Sequence, residues 1–107
     1  MKVLFVCTGN TCRSPLAEAI ARRLDADNEY ASAGRHAHVG DPAAVNAVAI
    51  APELAGHRAR QLTPDLEAWA DRIVDLNEAG IPDPYGQDEQ AYRATAAELE
   101  ALIRGML

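Results

Sequence analysis

Five residues separate Cys7 from Arg13 in the segment Cys7-Thr8-Gly9-Asn10-Thr11-Cys12-Arg13-Ser14-Pro15. A thiol reacts as its thiolate, and a cationic, amide-rich setting favours that form. The guanidinium of Arg13 offers a planar fork of donors that can hold two equatorial oxygens of a phosphoryl group. Gly9 permits a backbone turn that a side chain would obstruct. Ser14-Pro15 has the form of a helix start, an N-cap residue followed by proline at the first helical position. A loop entering a helix in this way points several backbone N–H groups inward, and the helix dipole adds partial positive charge. The spacing therefore predicts an oxyanion cradle, formed by Thr8, Gly9, Asn10, Thr11, Cys12, Arg13 and Ser14, with Cys7 at its start. Ser14 can donate a further hydrogen bond. The matching chemistry is in-line attack of sulfur on phosphorus, with electrostatic stabilisation of the transferring group as the main catalytic contribution.

A lone cysteine ending a buried strand is ordinarily just a small apolar residue. The arginine, serine and proline at this spacing, between a strand and a helix start, single Cys7 out for chemistry. Metal ligation fits poorly, because two thiols without a second ligand pair and three scattered histidines make a poor zinc site. Neither a metal nor a cofactor is expected.

The elements that must position this loop follow from the rest of the pattern. Val3 to Cys7 is a short apolar run of the kind found in buried parallel strands. Leu16, Ile20 and Leu24 recur at helical spacing up to Asp25, with Glu18, Arg22 and Arg23 on the wet side. Glu29 to Ala33, closed by Gly34, reads as an edge strand, and Ala43 to Ala51 as a helix that Pro52 stops. Thr63-Pro64 opens another helix with Leu66, Trp69 and Ala70 inward. Asp71 to Leu76 contains the third strand, and Asn77 to Gln87, with two prolines and two glycines, is irregular. Asp88 caps a last helix, to Met106, whose inward residues are Tyr92, Thr95, Leu99, Leu102, Ile103 and Met106. Strands alternating with helices predict an α/β fold with a small open parallel sheet, and ligands bind such sheets at the carboxyl ends of their strands.

At 107 residues, 1–107 is expected to be a single domain. A formal charge of −6 argues against nonspecific nucleic-acid binding, which needs a basic face, so attraction for an anion must be local. No apolar run approaches the ~18 residues of a membrane span, and none of the features of an export leader follows Met1. Two cysteines are too few for a secreted disulfide framework, so a reducing, cytoplasmic setting is expected.

The chain resembles the low-molecular-weight protein-tyrosine-phosphatase family, which includes bacterial phosphatases for phosphotyrosine and phosphoarginine and a related arsenate-reductase branch. Besides Cys7 to Pro15, the resemblance rests on Ser32-Ala33-Gly34, on Gly56-His57-Arg58-Ala59-Arg60-Gln61-Leu62 and on Asp83-Pro84-Tyr85-Gly86. It implies Cys7 as nucleophile, Arg13 as phosphate clamp and Asp83 as general acid, which later activates the hydrolytic water. It further implies that Asn10, Ser14, Ser32 and His57 form a hydrogen-bond network holding the phosphate loop. Pro82 and Pro84 stiffen the loop that carries Asp83, and Tyr85 is placed to form an aromatic wall of the cleft. Arg35, His36 and His38 fall where the family has its variable substrate-facing loop, with His38 a further candidate for the wall. Thr11, where many members carry a bulkier apolar residue, resembles the phosphoarginine subgroup. The implied partners are a phosphorylated protein and inorganic phosphate.

Relative to that family the chain is short by a strand-helix-strand unit. Ala70 to Val74 resembles the start of one family strand and Asp75 to Glu78 the exit from the next, so a four-stranded sheet is expected to become three-stranded. Either Asp83 still reaches the phosphate loop or catalysis is crippled, leaving a phosphate- or phosphoprotein-binding module; a thiol-dependent arsenate reductase is the other alternative. The deletion also leaves an unpaired sheet edge, through which a homodimer is expected.

Overall fold

Alternate side chains of Val3 to Cys7 are buried against opposite faces of one sheet. The computed structural model describes residues 1–107. Its elements are β1 (Lys2–Cys7), α1 (Arg13–Leu24), β2 (Glu29–Gly34), α2 (Val45–Ile50), a 3-10 turn (Pro52–Gly56), α3 (Pro64–Trp69), β3 (Arg72–Asp75) and α4 (Glu89–Met106). The three strands are parallel in the order β2-β1-β3, with Lys2 opposite Glu29 and Val3 opposite Arg72 at the start of the two ladders. Val3, Phe5 and Cys7 face the larger core, shared with Leu16 and Ile20 of α1, Ala47 of α2, and Tyr92, Leu99 and Ile103 of α4. Leu4 and Val6 face the smaller one, with Ala31, Ala33 and, from α3 and its flanks, Leu62, Leu66 and Trp69. Burial on both faces explains why β1 reads as an unbroken apolar run.

Several boundaries differ from the sequence expectation for physical reasons. α1 begins at Arg13 with Cys12 in the cap position and no side-chain cap. Ser14 does not cap it, because its hydroxyl is engaged with Cys7. α2 is shorter than the expected 43–51, and the chain beyond Pro52 winds into a 3-10 turn in place of a loop, with Leu54 N donating to Ala51 O at 2.9 Å. The caps of α3 and α4 are as expected: Thr63 Oγ1 accepts from Leu66 N and Asp88 Oδ1 from Ala91 N. β3 is an outer strand of only four residues, with Val74 buried and Ile73 41% exposed. No helix is long and apolar enough to cross a membrane.

Candidate active site

The carboxyl end of β1 delivers Cys7 into a loop whose shape is set by Asn10. Asn10 is fully buried in the left-handed region, φ +57°, a conformation that asparagine tolerates better than most residues. Its Nδ2 donates to Ser14 Oγ (2.8 Å) and Ser32 Oγ (3.0 Å), and its Oδ1 accepts from Arg60 N (2.9 Å). His57 Nε2 lies 2.8 Å from Asn10 O. The four residues expected to form a network, Asn10, Ser14, Ser32 and His57, are thus brought together. Ser14 Oγ lies 2.9 Å from Cys7 Sγ, and Asn10 N donates to the same sulfur at 3.4 Å. Because Asn10 already donates to the Ser14 hydroxyl, the hydroxyl's single proton has two acceptors in reach, Cys7 Sγ at 2.9 Å and Ala33 O at 3.4 Å, of which the sulfur is the nearer.

Gly34 closes β2 against this loop. A Cβ there would lie 2.6 Å from Thr8 O and 3.0 Å from Asn10 N, both backbone atoms. Arg35 N and His36 N donate to Cys7 O and Thr8 O, each at 2.9 Å, so the end of β2 clasps the phosphate loop through its backbone.

Arg13 is buried, its side chain only 4% exposed. Nη1 donates to Asn77 Oδ1 (2.8 Å) and Ile81 O (3.0 Å), while Nη2 stands 3.6 Å from Asp83 Oδ2. Its Nε is buried without a hydrogen-bond partner in the protein, an arrangement that native structures keep rare.

Cys7, Arg13 and Asp83 line one cavity of about 620 Å³, together with Thr11, His38 and Tyr85. The missing unit therefore does not remove Asp83 from the phosphate loop. Tyr85 N donates to Asp83 Oδ1 (3.1 Å) and Gln87 Nε2 to Asp83 O (3.2 Å), which fixes the loop around the carboxylate. Tyr85 is 72% exposed, at the mouth. Arg35 does not face the cavity's substrate side as expected: its Nε and Nη2 are both held by Asp75 Oδ2, at 2.8 and 2.6 Å. Cys12 Sγ approaches Tyr92 Oη of α4 (3.3 Å). Burial pushes the Cys12 thiol up from its usual value, outweighing the hydrogen bonds from Tyr92 and Thr11.

The model of the low molecular weight phosphotyrosine protein phosphatase family matches residues 2–79, most of the chain. The chain belongs to that family. Among the phosphatases it resembles, a protein-arginine-phosphatase of Geobacillus stearothermophilus is 32% identical over 134 residues, with 95% of this chain and 90% of that protein covered. An alignment that long against 107 residues leaves at least 27 positions of the relative facing gaps. The crystal structure of the low molecular weight protein tyrosine phosphatase from T. tengcongensis superposes with a TM-score of 0.91 at 32% identity, covering 99% of this chain and 97% of that one. A C7S mutant of the YwlE arginine phosphatase, solved with a phosphorylated active-site serine, superposes with a TM-score of 0.89 at 28% identity, covering 99% and 93%.

Three residues gain a part in this phosphatase site that the sequence did not assign to them, although Gly34 and Arg60 lie in segments that carry the family resemblance. Arg60 and Asn77 act through contacts across 50 and 64 positions of chain, which no local pattern records. Gly34 left a faint signal, a glycine closing an otherwise regular strand.

Proposed function

We propose that this chain is a cysteine-dependent protein phosphatase that hydrolyses phosphotyrosine or phosphoarginine through a cysteinyl-phosphate intermediate. The observation that carries this reading is the convergence of Cys7, Arg13 and Asp83 on one cavity, with the carboxylate 3.6 Å from the guanidinium. Backbone N–H groups of Thr8 to Ser14 and the Arg13 fork hold the phosphoryl oxygens. Cys7 sulfur, with the Ser14 hydroxyl and Asn10 N–H directed at it, attacks phosphorus. As the sulfur–phosphorus bond forms, the bond from phosphorus to the substrate oxygen or nitrogen breaks, and Asp83 gives its proton to the departing atom. The resulting Asp83 carboxylate takes a proton from water, whose oxygen displaces sulfur and releases inorganic phosphate. Asn10, Ser32 and His57 keep the loop in shape, and Tyr85 and His38 flank the incoming side chain.

Thr11, half-buried on the cavity wall, favours phosphoarginine over phosphotyrosine, because a small polar side chain leaves room for a guanidine. The expected result with an aryl phosphate and with both kinds of phosphopeptide is a burst of leaving group, abolished by Cys7→Ser. Phosphate binding without hydrolysis between about pH 5 and 8 would instead leave a binding module.

The same reading places the protein in the cytoplasm as a single domain, with two free thiols and no nucleic-acid partner. It also includes a homodimer through β3, whose outer edge carries the exposed Arg72 and Ile73. A two-fold axis would pair β3 with its copy in antiparallel fashion. Sedimentation should show a concentration-dependent dimer that Ile73→Lys weakens; a monomer at every concentration contradicts it.

A further inference from the structure

We infer that Asn77 is a positioning residue for the phosphate clamp, fixing one end of the Arg13 guanidinium so that its other edge faces the phosphoryl oxygens. The inference rests on the phosphatase reading and adds a residue to it. Asn77 lies in the turn after β3, just beyond the junction at which the missing unit is expected. Leu76 N still donates to Val6 O, extending the ladder by one residue, and the chain then doubles back, with Ala79 N bonded to Asp75 O and Ile81 N to Leu76 O. Gly80 supplies the left-handed step, φ +76°. Asp75 locks the turn from inside: Oδ1 accepts from Asn77 N (2.9 Å) and Glu78 N (3.2 Å), and Oδ2 is held by Arg35.

This turn brings two acceptors, Asn77 Oδ1 and Ile81 O, onto one nitrogen, Arg13 Nη1. Nη1 has two N–H bonds, so both are used. Arginine only donates, which fixes the Asn77 amide with oxygen toward it and leaves Nδ2 to reach Thr8 Oγ1 at 3.4 Å. Of the five guanidinium N–H bonds, those on Nε and Nη2 remain, and they form the side-on fork suited to two phosphoryl oxygens. Nε is the buried atom without a protein partner, and Nη2 is the atom that faces Asp83. Without the Asn77 acceptor the planar guanidinium could turn as a unit about its Cδ–Nε bond and carry the fork out of register.

The test uses the full chain and the alkylation of Cys7 by two reagents that differ in charge, iodoacetate and iodoacetamide, with inorganic phosphate as competitor. Wild type should react faster with the anionic reagent. Asn77→Leu, which keeps the volume and removes the acceptor, should slow iodoacetate and weaken protection by phosphate ~10- to 100-fold, with iodoacetamide and the melting temperature little changed. Asn77→Gln, which keeps a neutral acceptor oxygen, should restore part of the preference. If Asn77→Leu retains the wild-type charge preference and phosphate affinity, or slows both reagents alike, the positioning role is overturned while the phosphatase reading stands. Absence of any charge preference in wild type overturns both.

Discussion

Asp83 Oδ2 and Arg13 Nη2 form an ion pair at 3.6 Å in the cavity that Cys7 also lines. In the proposed reaction Arg13 holds the phosphoryl group and Asp83 meets the departing atom, so the two must part for a substrate to enter between them. The pair is half open to solvent at Asp83 and closed at Arg13, so an incoming dianion can take over the guanidinium while Asp83 turns to the leaving group.

Asp83→Asn should therefore lower kcat by about 100- to 1,000-fold for leaving groups that need a proton. The loss should be much smaller for an electron-poor phenol, which departs as its anion. Steady-state kinetics across a series of aryl phosphates checks this; equal losses for all leaving groups would remove Asp83 from the proton transfer.

Gly34→Ala should lower both stability and phosphate affinity. Its Cβ would meet Thr8 O at 2.6 Å, and neither strand β2 nor the phosphate loop can yield without disturbing the Arg35 and His36 N–H bonds to Cys7 O and Thr8 O. Thermal melts with and without phosphate measure the two effects, and a variant as stable and as well protected as wild type would contradict the close approach.

The phosphate loop was legible because its parts are contiguous: strand end, glycine, arginine and a proline-marked helix start all fall within Cys7 to Pro15. Helix α4 was legible for a similar reason, since Asp88 and a regular stripe through Tyr92, Thr95, Leu99 and Ile103 are local signals. Ser14 misled as an N-cap because a serine before proline carries the same signature whether its hydroxyl turns back to the helix or forward to a thiol. Arg35, placed by resemblance in a substrate-facing loop, turned out to serve Asp75, and only the register of β2 and β3 around β1 brings those two side chains together.

Thr11→Ile should shift preference from phosphoarginine toward phosphotyrosine by about 10-fold or more, since added apolar bulk beside the transferring group discriminates by steric fit. Comparing kcat/KM for matched peptides of the two kinds checks it. An unchanged ratio would leave Thr11 as loop filling.

Acid should loosen the clamp's support through Asp75. Burial works against its charge, but the Arg35 side chain and the N–H groups of Glu78 and Asn77 prevail and hold the carboxyl below its ordinary value of 3.8. A carboxyl depressed by folding contributes stability that is present above the unfolded value and lost as pH falls through the folded one. Asp75→Asn should thus melt below wild type at neutrality, with the gap closing below about pH 4. A gap independent of pH would contradict the assignment.

The most direct measurement is the covalent state of Cys7 during turnover. With Asp83→Asn, whose second step lacks its base, rapid quenching of an aryl phosphate reaction followed by mass spectrometry of the intact chain and its peptides should find one phosphoryl group, on Cys7. The same experiment on Cys7→Ser should show no turnover. Phosphate released by wild type with Cys7 never phosphorylated, or by Cys7→Ser at an undiminished rate, would contradict the account.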